Sequence, residues 1–233
     1  MTADRSPELE KADRTGERLL RLGAIAAVAA VTTQTLAHLA NEFVFEDRFE
    51  ALDADFEGNA FTWASSAAVL AVALAALLHA VAFRRRVHEF VLIVAIGTLF
   101  SLDDAVQIHE RLALRLGENL LGLPDYAAVR LWLVLYLPLL LVIAALLWIV
   151  AGEAWAPAGR TIRLGLGALV ASIPVELTGV VTRPLADDGT DAPEVVRVTI
   201  EEALELGGWI VVAAGIMAAV TVALMTFRHD YRS

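Results

Sequence analysis

The chain has 233 residues, 58% of them hydrophobic and 20% charged, with a mean hydropathy of +0.64. Those are the numbers of a protein whose solvent is mostly lipid, and they exclude a soluble globular domain as the default. The formal charge of -10 leaves no cationic stripe to hold a phosphate backbone, which argues against nucleic acid as a partner. The absence of cysteine removes disulfides, thiolate metal sites and cysteine nucleophiles together.

A helix needs about 20 consecutive apolar residues to cross a bilayer. Six stretches qualify, roughly 20–40, 61–83, 90–108, 127–150, 162–182 and 203–227. They predict an all-α polytopic membrane protein, a bundle of about six transmembrane helices. The first stretch is expected to be retained as a span, because the residues before it carry Asp4, Glu8, Glu10, Asp13 and Glu17 where a signal peptide has a short basic region. The expected organisation is a polar tail over 1–18, one six-helix domain over 19–227 and a short tail over 228–233. Twelve basic residues fall on the N-terminal side of the membrane and six on the other. The positive-inside rule then places both termini in the cytoplasm, with the chain in the cell membrane. Gly165, Gly167, Gly207, Gly208 and Gly215 read as positions of close helix approach. No P-loop, dinucleotide fingerprint, GxSxG or HExxH motif occurs.

Polar groups inside a membrane are costly unless they face a cavity or a partner, so their placement is the most informative pattern in the sequence. On the first span Gln34, His38 and Asn41 share a face, with Glu42 adjacent. Thr62, Ser65 and Ser66 open the second. The third ends in Ser101–Glu110, where an unbroken helix aligns Asp103, Gln107 and Glu110 and pairs Asp104 with Arg111; His109 points about 120° away and joins them only if the helix ends near Gln107. Ser172, Glu176 and Arg183 align on the fifth span, making Arg183 the expected counter-charge of Glu176. Glu201 and Glu205 share a face of the sixth, beside Glu202. Five of six helices thus carry their polar stripe in one leaflet, the outer one under this topology, and 20 of 28 acids lie on that side.

Each group has an ordinary explanation: Asp103 and Asp104 as a solvated helix end, Glu201 and Glu202 as first-turn acids complementing the helix dipole, the hydroxyls as packing or bonds to backbone carbonyls. Glu176 and Glu205 lie inside spans and resist that explanation. The expectation is that Asp103, Glu110, Glu176, Glu201 and Glu205, with His109, converge in one outward-facing cavity lined also by His38 and Ser65.

Thr62-Trp63 with Ser65-Ser66, Ser101-Leu102-Asp103-Asp104 followed by His109-Glu110, and Glu201-Glu202-Ala203-Leu204-Glu205-Leu206-Gly207 together resemble the motifs of a family of uncharacterised prokaryotic multi-pass membrane proteins. The resemblance covers nearly the whole chain, departs mainly at Asp104 where Glu is usual, and implies one shared site without implying an activity. The acidic, Ala-rich and almost Lys-free composition resembles that of proteins from salt-loving archaea. Ser65, Asp103 and His109 are also residue types shared with the alkaline ceramidase and progestin-receptor-like hydrolases. Their three-histidine zinc set is missing from the polar leaflet, so this is analogy.

Carboxylates with imidazole suit Fe, Mn or Zn, and helix bundles build metal sites this way. Asp103, His109, Glu176, Glu201 and Glu205 are therefore the expected ligands of a divalent metal. Asp104 and Glu110 are the expected acid–base groups, with Ser65 a third catalytic candidate. The reading that suits this set best is a membrane-embedded metal-dependent enzyme on an amphiphilic substrate, a lipid or an isoprenoid, with the bilayer and a lipid-like small molecule as its partners. The alternatives are a proton or small-cation transporter, which needs a polar path through the apolar inner half-spans, and a non-catalytic binding or scaffold subunit, which needs its acids confined to loops.

Overall fold

The computed structural model describes residues 7–46, 48–54, 59–83, 86–123, 128, 131–187 and 192–230; the side chains of 110, 180–187 and 228–230 lie outside the description. Seven α-helices and no strand are present among the described residues. The first, α1, runs from Pro7 to Phe43. Its start follows from Pro7, whose fixed φ suits the first helical position, and from Glu8 and Glu10 in the first turn. The helix therefore extends through most of the stretch read as a polar tail.

A 3-10 turn at Glu50–Leu52 leads to α2, Ala60–Ala82. Asn59 caps α2, its side chain accepting from the amides of Phe61 and Thr62 at 2.6 and 2.7 Å. Next come α3 (Val87–Val106) and α4 (Ile108–Leu116), the latter running into a π-turn at Gly117–Leu121. Three long helices follow: α5 (Leu131–Glu153), α6 (Ala156–Asp187) and α7 (Ala192–Asp230). Five helices, α1, α2, α5, α6 and α7, are long and apolar enough to cross a membrane. A sixth span results if α3 and its bent continuation count as one.

That bend corrects the expected third helix. Gln107 adopts a left-handed conformation, φ 59°, its amide closing the last turn onto the Asp103 carbonyl at 2.7 Å, and the chain leaves at 71° to α3. The alignment of Asp103, Gln107 and Glu110 on one stripe is broken there, and Arg111 donates to the Gln107 side chain at 3.2 Å. A non-Gly residue in this region is held by its surroundings against an intrinsic cost.

The centre of the bundle is α7, which packs along α6 and α1 and against α2, while α2 pairs with α3. Ile93, Leu147, Ile162, Val212 and Ile216 are fully buried where these helices meet. Lipid tails are as apolar as the side chains, so close backbone approach does much of the work of association. A Cβ on Gly165 would lie 2.7 Å from the Gly208 carbonyl, and one on Gly215 would lie 2.6 Å from Ile162.

The α6–α7 contact has a regular antiparallel register. Ile162 meets Gly215, Gly165 meets Val212, Leu169 meets Gly208, and Ser172 meets Glu205. Each step is three or four residues up one helix and the same number down the other, the seam of an antiparallel coiled coil.

Candidate functional site

Following that seam beyond Ser172 and Glu205 leads to Glu176 opposite Glu201, so the polar cluster continues the apolar packing face. Arg197 sits at its centre, only 5% exposed. Its Nε and Nη2 grip Glu194 at 3.0 and 2.9 Å, and its Nη1 donates to Glu176 at 3.1 Å and to Glu201. Three residues back and four residues on, Glu194 and Glu201 share the helix face of Arg197, and Glu176 arrives from α6. The Glu176 and Glu201 carboxyl groups are also within hydrogen-bonding reach of one another, and Glu205 is close enough to Glu176 to interact electrostatically. Ser172 donates to Glu205 at 3.2 Å, and Gln34 of α1 donates to Glu202 at the same distance.

Arg197 is thus the counter-charge that Glu176 requires, where the sequence pointed to Arg183, whose side chain lies outside the described residues. Arg197 was legible in principle, since Glu194, Arg197 and Glu201 have ion-pair spacing on a helix. The apolar run begins near residue 203, so hydropathy alone leaves Arg197 among the connecting residues.

A second group forms at the bend. Asp103, 3% exposed, accepts the His109 amide at 3.0 Å and pairs with His109 Nδ1 at 2.8 Å. Tyr136 of α5 is close enough to Asp103 to interact with it electrostatically, and its ring lies edge-on to His109 with centroids 5.8 Å apart; Trp132 does the same at 5.3 Å. The left-handed Gln107 is what turns His109 back onto Asp103, meeting the condition the sequence set for it. A carboxylate that accepts from Nδ1–H fixes the imidazole tautomer and leaves Nε2 for a proton or a metal. Nothing in the sequence signalled Tyr136 or Trp132. Ser66 donates to the Ser101 carbonyl at 2.6 Å, tying α2 to α3, while the Ser65 hydroxyl is buried without a hydrogen-bond partner. Asp104 is half-buried, and the Glu110 side chain is outside the description.

The third group gathers at the end of α1. His38, Glu42 and Asp53 offer ligand atoms that all lie within 4.8 Å of one another. His38 is 2% exposed, and its Nδ1 accepts the Ala54 amide at 3.1 Å and lies 3.8 Å from Asp53 Oδ1. Asn41 accepts the Phe49 amide at 3.0 Å, and Asn59 donates to the Asp53 carbonyl. Two buried asparagines thereby fasten the connection onto the ends of α1 and α2, and Ala54 and Phe61 close it against Val198 of α7. Asp53 escaped the sequence reading because it lies in a loop with no periodicity to place it.

Chain direction puts the three groups at one end of the bundle. A bundle that is all-helical among the described residues, with five helices long and apolar enough to cross a membrane and a layer of acids and imidazoles at one end, is the architecture of a polytopic membrane protein. Among such proteins the chain belongs to the family described as Domain of unknown function (DUF8692), whose model matches residues 18–220. No curated protein and no solved structure matches the chain.

Proposed function

We propose that this protein binds a divalent metal through His38, Glu42 and Asp53 and uses it in chemistry on an amphiphilic substrate, a lipid or an isoprenoid, that reaches the polar end from the bilayer. The observation that carries this is the convergence of one imidazole and two carboxylates within 4.8 Å at a place held by buried asparagines. That donor set suits Zn, Fe or Mn. A metal at Nδ1 takes the lone pair that now accepts the Ala54 amide, so loading exchanges a hydrogen bond for a metal bond. The expected set of Glu176, Glu201 and Glu205 is less suited, because Arg197 already occupies Glu176 and Glu201. In this reading Asp103 positions His109, and Nε2 of His109 is the oriented base.

Transport is the weaker reading, since Ile93, Leu147, Ile162, Val212 and Ile216 form a fully buried apolar core where α3, α5, α6 and α7 meet and offer no ligand to a moving ion. A scaffold role predicts no metal at all. Elemental analysis of detergent-purified protein separates these readings. About one equivalent of metal is expected in the parent chain and in Glu205→Gln, lost in His38→Ala and Glu42→Gln, with a metal-dependent rise in Tm only where metal is retained. Metal retained in His38→Ala, or lost in Glu205→Gln, would move the site to the α6–α7 seam; none in any form would leave the scaffold reading.

A further inference from the structure

The last turns of α1 have two opposite faces. Gln34, His38 and Asn41 are buried toward the bundle. Leu36 and Phe43 stand two positions from them, about 200° round the helix, and are exposed. Ile25, Leu36 and Phe43 fall within about 20° of one stripe, so Phe43 prolongs the exposed apolar face of a helix long and apolar enough to cross a membrane. Beyond it Val44, Phe45 and Phe49 are exposed as well, the two rings edge-on with centroids 5.2 Å apart. Ala37 packs against the buried cluster of Phe61, Ala54 and Val198, which sets the first turn of α2 beside this part of α1. Trp63, on that turn, is 74% exposed. The character then changes, since Glu46 and Arg48 form an ion pair at 2.9 Å with both side chains open to solvent.

We infer that Phe43, Val44, Phe45, Phe49 and Trp63 seat in the bilayer where headgroups meet acyl chains, and that His38, Glu42 and Asp53 open beneath that boundary, where an amphiphile presents the bond joining its head to its chain. The occupant follows from continuity. Lipid covers the earlier part of the α1 stripe, and the same stripe runs on to Phe43 without a polar residue at Leu36 or Phe43 to mark a boundary. A contiguous exposed apolar patch marks a surface that is covered, and tryptophan collects at the membrane–water interface. Glu46 and Arg48 mark where water begins. The depth follows from the helical rise: Glu42 is about 1.5 Å and His38 about 7 Å below Phe43 along α1. The depth rests on these exposures alone, whereas the bond presented there rests on the proposed role of His38, Glu42 and Asp53.

The chain has no cysteine, so a spin label on one introduced cysteine reports one position. The test places it at Leu36→Cys, Glu42→Cys, Phe43→Cys or Arg48→Cys in the whole chain, reconstituted in phosphatidylcholine vesicles. Collisions with oxygen, which partitions into lipid, are compared with those of a water-soluble nickel chelate. Oxygen is expected to exceed nickel at Leu36, Glu42 and Phe43, and the ratio to rise from Phe43 to Leu36, about 10 Å deeper along α1. At Arg48 the order is expected to reverse. A nickel preference at Phe43 or Glu42, which puts them in water, would overturn the inference. So would both reagents failing to reach either position, which means that protein covers it. Leu36→Cys and Phe43→Cys leave the three proposed ligands in place, so metal content is read on the same samples. Lipid-facing labels on metal-free protein would sink the metal reading and keep the depth, and water-facing labels on metal-bound protein would do the reverse.

Discussion

The two halves of the α6–α7 seam share one register and differ in everything else. Toward one end the pairs are Ile162 with Gly215, Gly165 with Val212 and Leu169 with Gly208; toward the other they are Ser172 with Glu205, then Glu176 with Glu201 and Arg197. The apolar half is held by backbones brought close through missing side chains. The polar half is held by a guanidinium that serves three carboxylates in a medium where charge interactions are little screened. Close packing tolerates loss of a contact but not added volume. A buried ion network tolerates added volume poorly and loss of a charge worse, because what remains is an unpaired ion.

Removing Arg197 should therefore have the largest effect. Arg197→Met leaves Glu176, Glu194 and Glu201 buried without their shared cation, and a loss of about 3–5 kcal/mol is expected. Arg197→Lys should fall between, since a point charge cannot reproduce the two-pronged grip on Glu194. Thermal unfolding in detergent measures both, and a Tm of Arg197→Met equal to the parent's would break the comparison.

In the apolar half the sensitivity is expected to invert. Gly165→Leu should cost about 1–3 kcal/mol through overpacking, because even its Cβ would stand 2.7 Å from the Gly208 carbonyl. Gly167, two residues on, has nothing within 4 Å of its Cβ position, and Gly167→Ala should be neutral or gain up to about 1 kcal/mol from helix propensity. Equal Tm shifts for the two glycines would show that close approach does not hold this half.

The smallest effect belongs outside both halves. Arg14 and Glu10 form a pair at 2.6 Å with both side chains 63% exposed. Arg14→Ala should change stability by no more than about 0.5 kcal/mol. A larger shift in the same unfolding experiment would mean that α1 has a partner there.

Much of the framework was open to sequence reasoning because hydropathy and helical spacing are local properties. The runs of apolar residues marked six spans, of which five are helices long and apolar enough to cross a membrane and the third is the bent pair, the glycines of the sixth predicted span marked close approach, and the stripes of Ser172 with Glu176 and of Glu201 with Glu205 face each other across the seam. The bend at Gln107 was harder. Periodicity continues through it, and no proline or glycine marks it, so only a condition on His109 hinted that the helix ends there. Arg197 carries the right spacing but lies outside the hydropathy signal, because one long helix, Ala192–Asp230, begins earlier than its apolar run.

Composition and periodicity alone determined the all-helical architecture and the segregation of polar groups to one end, since each depends only on neighbours along a single helix. Tertiary structure decided which polar groups are partners: that Glu176 takes Arg197, that Asp103 takes His109 and Tyr136, and that a loop carboxylate, Asp53, joins His38 and Glu42. The physical reason is that partner choice inside a bilayer is set by the register between helices and by where a connection is pinned. Those are relations between segments far apart in the chain, and no spacing within one segment encodes them.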